Sequence, residues 1–243
     1  MIRSLIALIV AVLIATGAFV GTAASRTVHP QPPLPPPTYD WSGWYAGVAG
    51  GYGWGSSSQT DSGIPCSFFA TCGGELFDGS YWPKGGLLGG TFGYSWQQGA
   101  WVAGLEGDYS WSHVAGSSNI CGADTSAPHA CGTNMESFGT FRGRLGYALG
   151  SNGGWLPYVT GGLAVAEIKS WDAFWPASSS DCRAGWTIGG GIETILMTNV
   201  TFKLEYLYAD FGGWQAFDVV PGTPETVDFR TNILRGGIDY AFH

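Results

Sequence analysis

Charged residues that could do ionic chemistry are spaced two or four positions apart within stretches that are otherwise apolar. Side chains at this spacing share one face of an extended strand, so each pair would enter the same compartment. Gathered in a confined space, they could form an ion pathway or a proton relay, or they could neutralise one another as a salt-bridged plug. The pairs are Glu106 with Asp108, Arg142 with Arg144, Lys203 with Glu205, and Arg235 with Asp239. Glu193 adds a single acid, so the set has five acids and four bases.

Ser112 and His113 are the nearest approach to a nucleophile and its base. Adjacent residues of a strand point to opposite faces, so these two do not form a catalytic pair. His29 and His129 have no metal-ligand partner at strand or helical spacing, and no glycine-rich phosphate loop leads from a strand into a helix. We therefore predict that the protein is not an enzyme and binds no metal.

The charged pairs lie on predicted strands whose other face is apolar. From Val200 to Tyr208, threonine, lysine and glutamate alternate with valine, phenylalanine, leucine and tyrosine. This period of two indicates a β-strand. In residues 234–242, Arg235 and Asp239 again lie opposite an apolar face. If the charges share a closed interior, the apolar faces point outward to lipid, as in bacterial outer-membrane barrels.

We predict an all-β fold, namely an eight-stranded antiparallel transmembrane β-barrel with up-and-down meander topology. The expected strands are residues 44–55, 85–96, 101–112, 137–149, 155–168, 185–196, 200–211 and 229–242. Short turns alternate with long connections at 56–84, 113–136, 169–184 and 212–228. With the N-terminus in the periplasm, the short turns are periplasmic and the long loops are extracellular.

Neighbouring strands are predicted to bring opposite charges together inside this barrel. Glu106 and Asp108 would face Arg142 and Arg144, and the charged residues of the last two strands would match in the same way. An eight-stranded barrel is just wide enough for its own side chains to fill. This favours the salt-bridged plug over the ion pathway and predicts that large solutes do not pass.

Tryptophans occur at both ends of the predicted strands. Their amphipathic rings prefer the boundary between lipid and water, so two girdles are expected. The inner girdle would contain Trp44, Trp96, Trp101 and Trp155, and the outer girdle Trp54, Trp111, Trp171 and Trp186.

The segment before the barrel has two parts. Residues 1–24 are predicted to be a secretory signal peptide, because Arg3 precedes an apolar run and small residues precede Ser25; a membrane-spanning helix is the alternative. Residues 25–43 are predicted to be a proline-rich periplasmic linker, with a ligand for a proline-reading domain as the alternative. The barrel domain would follow at residues 44–243.

The charge balance argues against nucleic acid as a partner. Without Arg3 the chain has nine basic and eighteen acidic residues, a net charge of −9. Nucleic-acid phosphates require a basic surface that this composition lacks.

Four segments resemble the small outer-membrane proteins of alphaproteobacteria, the OmpA-like and opacity-protein-like surface antigens often called the porin family. They are residues 41–55 (WSGWYAGVAGGYGWG), 139–148 (GTFRGRLGYA), 156–164 (LPYVTGGLA) and 185–193 (GWTIGGGIE). The resemblance implies an outer-membrane location, contact with lipid and lipopolysaccharide, and insertion by the barrel assembly machinery, whose terminal signal resembles Tyr240 and Phe242. The peptidoglycan-binding domain of larger relatives is not expected.

The five cysteines all lie in predicted outer loops or at their edges. In an oxidising envelope we predict two local disulfides, Cys66 to Cys72 and Cys121 to Cys131, with Cys182 left over. A zinc site is the alternative, although spacings of five and nine intervening residues do not match the common ligand pairs.

These features predict a surface protein with a structural or ligand-binding role in the cell envelope; a narrow channel for ions or very small solutes is the alternative. No cofactor is implied by a compact motif. Some family members resemble heme-binding surface proteins, so heme, or a host or envelope ligand, is a candidate for the aromatic outer loops. Those loops contain Phe68, Phe69, Trp82, Trp175, Trp214 and Phe217.

Overall fold

A computed structural model describes residues 39–61, 76–121, 129–173, 177–220 and 223–242. These residues form antiparallel strands in chain order: β1 (Gly43–Asp61), β2 (Leu76–Tyr81), β3 (Lys84–Gln98), β4 (Trp101–Cys121), β5 (His129–Tyr147), β6 (Trp155–Asp172), β7 (Ala177–Met197), β8 (Val200–Val220) and β9 (Thr223–Phe242). In the described ranges, no helix is long and apolar enough to cross a membrane.

The strands close into a ring. β3 to β9 pair in sequence order, β1 pairs with β3 on one side, and β1 pairs with β9 on the other from Trp44↔Phe242 to Asp61↔Glu225. The predicted eight-stranded antiparallel meander is thus confirmed. β2 is additional: it lies within the connection predicted at 56–84 and pairs with the outer end of β1, from Ser57↔Tyr81 to Asp61↔Leu76.

Most strands extend outward beyond their predicted ends. β8 continues from the predicted residue 211 to Val220, and β7 begins at Ala177 instead of residue 185. The predicted loop 169–184 is therefore mostly strand. Hydrogen bonding continues where the apolar-outward alternation ends, as at the polar residues 178–181, so hydrophobic periodicity underestimated the strand lengths.

The polarity of the two barrel faces inverts along the strands. At membrane depth the outward residues are large and apolar, such as Leu105 and Leu163. Farther out on the same strands, His113 and Lys169 point outward, whereas Val114 and Ile168 are buried inside. The barrel therefore has an apolar outward face and a polar interior only within the membrane. Its outer part has an apolar interior and a polar outward face, as soluble β-proteins do.

Tryptophans occupy the outward face at both predicted levels. Trp44, Trp96, Trp101 and Trp155 are about half exposed at the inner ends, and Trp54, Trp111 and Trp186 are exposed at the outer ends. Trp171 is less exposed because it packs over Gly132, where an added Cβ would lie 2.7 Å from the indole ring.

The sheet divides above the outer girdle. The β7–β8 ladder ends at Trp186↔Asp210, where β8 has a bulge. Gly212 in this bulge has φ +65°, a conformation that glycine adopts easily, and its N–H donates to Asp210 Oδ1 at 2.8 Å. Beyond the bulge, β7 pairs only with β6, and β8 pairs only with β9 within the described residues.

Candidate functional site

The barrel interior contains all nine predicted charged residues, and Arg142 lies at their centre. Its Nη2 is 2.5 Å from Glu106 Oε1 and 2.9 Å from Asp108 Oδ2, and its Nη1 is 2.9 Å from Glu205 Oε1. The Arg142 side chain has no exposed surface. One cation from β5 thus binds acids from β4 and β8, which lie on different sides of the barrel.

Arg235 and Lys203 extend the same network across the lumen. Arg235 Nη2 is 2.7 Å from Glu205 Oε2 and 2.9 Å from Asp108 Oδ2. Lys203 Nζ is 2.8 Å from Glu106 Oε2 and 3.1 Å from Asp239 Oδ2. Because these pairs connect β8 and β9 with β4, the ionic contacts span the barrel instead of lining its wall.

Arg144 connects the network to the periplasmic end. Its Nη2 is 2.5 Å from Glu193 Oε2, and its Nη1 is 3.5 Å from Glu106 Oε2. Its guanidinium also lies 4.2 Å from the centre of the Tyr158 ring, within cation–π range. The predicted match of the β4 acids with both arginines is therefore correct for Arg142, while the shortest ion pair of Arg144 is with Glu193 on β7.

Hydroxyl groups complete the network, and sequence reasoning did not identify them. The Tyr45 hydroxyl donates to Glu106 Oε2 at 2.9 Å and the Tyr158 hydroxyl to Glu205 Oε1 at 3.0 Å. Threonine hydroxyls donate to three further acids: Thr91 to Asp239 at 2.8 Å, Thr140 to Asp108 at 2.5 Å and Thr201 to Glu193 at 2.6 Å. Thr140 and Thr201 lie two positions before Arg142 and Lys203, a spacing that could have revealed them.

Glycines leave the space that these long side chains need. A Cβ added to Gly191 would lie 2.8 Å from the Tyr158 hydroxyl, and one added to Gly104 would lie 3.1 Å from Arg144 Cγ. Larger residues at these positions would collide with the network, which explains part of the high glycine content.

An apolar layer closes the periplasmic end, which we call the inner layer. It consists of Trp41, Val102, Ala148 and Leu156, with Tyr39 and Ile195 packed against it. Trp41 Nε1 donates to Gly153 O at 2.9 Å, and the Trp41 backbone N–H donates to Gln97 Oε1 at 2.7 Å. Trp41 was predicted to belong to the linker 25–43, so that boundary was too late; residues 1–38, including the predicted signal peptide, lie outside the described residues.

A larger apolar layer lies on the extracellular side of the charges, which we call the outer layer. It contains Leu87, Val114, Met135, Phe138, Ala164, Ala166, Ile168, Leu207, Ala209, Phe211, Trp214, Val227, Phe229 and Ile233. A polar lumen was expected; it is found at membrane depth, whereas the lumen is apolar in the outer layer. Leu207 and Phe211 continue the inward face of Lys203 and Glu205, so the signal was present in the period of two. Trp214, assigned to an aromatic loop, is buried here.

The remaining predicted sites have different outcomes. Cys131 is buried in β5 and disulfide-bonded, and its predicted pairing with Cys121, at the outer end of β4, stays a prediction. Cys182 is a free, exposed thiol. It lies on β7, so placing it in a loop was wrong, because β7 is longer than its apolar pattern. Cys66 and Cys72 lie outside the described residues.

Ser112 and His113 lie on opposite faces of β4. Ser112 is buried and accepts a hydrogen bond from the Val114 N–H at 3.2 Å, whereas His113 is exposed. Among the described residues, no group of three or more His, Cys, Asp or Glu side chains is arranged to hold a metal ion.

A small cavity lies at the periplasmic end of the charged network. The cavity between the inner layer and the charges, bordered by Trp41, Tyr45, Arg144 and Glu193, has a volume of about 20 Å³. That is room for about one water molecule. Chemically, the interior can neutralise its buried charges by pairing them across the barrel.

Comparison with known proteins agrees with this architecture. Residues 10–242 match the family model of the outer membrane protein beta-barrel domain. The chain is 34% identical to the 31 kDa outer-membrane immunogenic protein of Brucella melitensis over 99% of this chain and 100% of that protein. It is 32% identical to the 22 kDa outer membrane protein of Rhizobium leguminosarum bv. viciae, over 72% of this chain and 66% of that protein.

Among solved structures, Neisserial surface protein A is 14% identical with a TM-score of 0.41, over 83% of this chain and 98% of that one. The resemblance to alphaproteobacterial surface antigens is confirmed by the Brucella and Rhizobium relatives. The chain belongs to the outer-membrane β-barrel protein family, and it is an outer-membrane protein.

Proposed function

We propose that this protein is a non-conducting, non-enzymatic surface protein whose filled barrel anchors its extracellular part in the outer membrane. The observation that carries the proposal is the succession of inner layer, charged network and outer layer across the lumen. A channel of this width would need its central charges free to hydrate, whereas Arg142 contacts three carboxylates and is completely buried.

The outer layer makes conduction less favourable than the charged network alone would. Ion pairs can exchange partners while remaining hydrated, but a packed set of aromatic and aliphatic side chains does not admit ions without losing its contacts. Phe138 and Phe229 are both fully buried there, with Phe211 packed between them at ring distances of 6.5 and 6.0 Å. Rearrangement of the salt bridges would therefore not open a path by itself.

The outward faces support an anchoring role. Lipid and the acyl chains of lipopolysaccharide are the proposed partners of the exposed apolar band, in which Leu88, Leu163 and Ile188 are each more than half exposed. Tyr240 and Phe242 also point outward near the C-terminus, as recognition by the barrel assembly machinery would require.

Heme capture has weaker support from the aromatic residues suggested for it. Trp82 is exposed, but Trp214 is packed into the outer layer. Phe68, Phe69 and Trp175 lie outside the described residues, and Phe217 belongs to β8. Heme therefore remains a candidate ligand, to be tested by absorbance titration of the folded protein.

Planar-bilayer recording tests the proposed function. We expect the folded wild-type protein to give no stable unitary conductance, because both apolar layers remain in place. Arg142→Ala and Glu106→Ala should also give no stable conductance. Lys169→Ala, which removes an exposed charge from the outward face of β6, serves as the matched control. Stable wild-type steps that change size in the Arg142 and Glu106 variants, but not in the Lys169 variant, would establish the channel instead.

A further inference from the structure

Within the described residues, the sheet has two breaks above the outer girdle, and they differ in how they are covered. At the first, between β2 and β4, Gly116 packs against Pro83 and Tyr81: an added Cβ would lie 2.8 Å from Pro83 Cα and 3.0 Å from Tyr81 Cδ2. The Tyr81 hydroxyl forms a hydrogen bond with Thr133 Oγ1 of β5, and the Gly55 N–H donates to Pro83 O at 2.9 Å. Side chains and a proline thus close this break.

The second break, between β7 and β8, has no comparable cover within the described residues. We call it the β7–β8 seam; its two edges are residues 177–185 of β7 and 213–220 of β8. The strands are still close at Gly185, where an added Cβ would be 2.9 Å from Phe211 Cα. Above that point, within the described residues, β7 pairs only with β6, and β8 pairs only with β9.

The free edge of β7 is better suited to strand pairing than that of β8, which has bulges between Gln215 and Phe217 and between Asp218 and Val220. Natural edge strands commonly carry lysine, proline or a bulge that prevents another chain from adding to them. Residues 177–185 read ASSSDCRAG and residues 213–220 read GWQAFDVV, with neither lysine nor proline in either segment. The β6–β7 ladder is regular over this whole length, from Ala164↔Gly185 to Asp172↔Ala177. The β7 edge is therefore straight enough to accept another strand.

Two side-chain donors at the base of the seam have no acceptor. Trp214 is only 8% exposed, and its Nε1 has no hydrogen-bond partner among the described residues. Arg183 Nε is also buried and unpaired there, although the Arg183 side chain as a whole is 30% exposed. The guanidinium of Arg183 lies 4.9 Å from the centre of the Trp214 ring, and its Nη2 is 3.3 Å from Asp181 Oδ2. Buried donors are nearly always satisfied in folded proteins, so this pair points to an absent acceptor.

We propose that the β7–β8 seam binds an extended acidic peptide of a partner protein, which adds as a strand to the free edge of β7. Its backbone would take the unpaired hydrogen-bonding groups of residues 177–185, as in other cases of β-strand addition. An Asp or Glu carboxylate would accept from Arg183 Nε and Trp214 Nε1. This inference goes beyond the anchoring role, because it assigns a recognition site to the extracellular part.

A single peptide fits this position better than a second copy of the barrel. The free edge of β7 faces the β8 edge of its own barrel, so an approaching barrel wall would meet β8 first. Two copies in one membrane would also have their β7 strands running in the same direction, whereas a lone extended chain can enter in either direction. At about 3.3 Å per residue, the β7 edge offers roughly 30 Å of strand.

Peptide binding to the folded full-length mature protein in detergent micelles tests the proposal. The probe is a fluorescein-labelled peptide, Thr-Val-Thr-Glu-Val-Thr-Val-Thr, with two matched versions: one with Gln for Glu, and one N-methylated at alternate residues so that it cannot pair as a strand. We expect saturable anisotropy changes with the Glu peptide, weaker binding of the Gln peptide and no binding of the methylated peptide.

Protein variants locate the site. Arg183→Met and Trp214→Phe each remove one donor while keeping most of the side-chain volume, and each should weaken binding by about tenfold. Lys169→Met removes an exposed charge from the outward face of β6 and should leave binding unchanged. Heat-modifiable migration on a detergent gel verifies that every variant is folded.

Hydrogen exchange gives a readout that a nonspecific electrostatic effect would not produce. Bound peptide should slow amide exchange in residues 178–183 and leave the edge of β2 unchanged. Absence of saturable binding by the Glu peptide, equal binding of the N-methylated peptide, or protection elsewhere would each overturn the proposal. These outcomes are independent of the conductance measurement, so the proposed anchoring role and the proposed peptide binding can be refuted separately.

Discussion

The membrane-spanning and extracellular parts of this barrel use opposite rules with the same strands. At membrane depth Arg142 and Glu106 are inside, and Leu105 and Phe141 are outside; farther out, Val114 and Phe229 are inside, and His113 and Arg230 are outside. The surroundings explain the difference, since lipid covers the first part and water the second. A closed wall between lipid and charge permits a buried ionic core, whereas a wall facing water gains more from an apolar core.

Removal of a single side chain should therefore lower the unfolding free energy differently in the ionic core and in the apolar core. An ion pair in a dry interior is stabilising only while every charge is compensated, and removal of one partner leaves the others buried and unpaired. An apolar core loses contacts and gains a cavity, but no charge is stranded. The following predictions test this difference, beginning with the largest expected effect.

Arg142→Met should destabilise the barrel by about 3 to 5 kcal/mol, because three carboxylates lose a shared cation. Urea unfolding in lipid vesicles, followed by tryptophan fluorescence, measures this change in unfolding free energy. The control is Arg230→Met, whose side chain is 45% exposed and 3.3 Å from Asp210; it should cost about 1 kcal/mol or less. Similar losses for the two variants would mean that the central network is not dry.

Phe138→Ala should destabilise by about 3 kcal/mol through lost burial and a cavity in the outer layer. Phe138→Leu, which keeps most of the volume, should lose roughly 1 kcal/mol. The same urea titration applies. If the alanine variant were as stable as wild type, the outer layer would not be a packed core, and its role in blocking the lumen would be withdrawn.

Leu204→Arg should destabilise by about 2 to 3 kcal/mol, because it places a charge on the lipid-facing surface. Ser180→Arg, on the outward face of the extracellular part, should change stability by no more than about 0.5 kcal/mol. The contrast measures where lipid contact ends. A large loss from the Ser180 variant would place residue 180 within the hydrocarbon and contradict the assigned boundary.

High salt should have the smallest effect on stability, and it should weaken only the ion pairs at the surface. A double-mutant cycle for Arg142 and Glu106 should give the same coupling energy at 0.1 and 1 M NaCl within about 0.5 kcal/mol, because buried charges are poorly screened. The cycle for Arg230 and Asp210 should lose most of its smaller coupling. Salt sensitivity in the first cycle would show that the network is hydrated.

Patterns with a period of two made the membrane-spanning barrel predictable. Residues 200–206 alternate cleanly because one face meets lipid and the other meets polar and charged groups, and the paired spacing of Glu106 with Asp108 and of Arg142 with Arg144 placed these residues in one compartment. The extracellular extensions were missed because they obey the opposite rule. Lys169 points outward and Ile168 inward, so the apolar-outward pattern ends there although the strand continues.

Contacts between distant strands were not predictable from the same patterns. Sequence spacing places Arg144 on the inward face, but its shortest ion pair, with Glu193, depends on barrel closure and side-chain length. Trp41 follows a proline-rich segment and has the sequence context of a linker. Its packing site is formed by Val102, Ala148 and Leu156, which come together only when the barrel closes. The pairing of β2 with β1 likewise depends on a connection that folds back along an edge.

The amino-acid order by itself determined the strand class, the direction of each face at membrane depth and the membership of the charged network, since these follow from local periodicity and from the exclusion of unpaired charge by lipid. Only the tertiary structure decided that the lumen is filled in three layers and that the β7–β8 seam stays open. Those features depend on ring closure, on the bulge at Gly212 and on side chains that meet across the barrel, and residues so far apart in the chain have no shared local pattern.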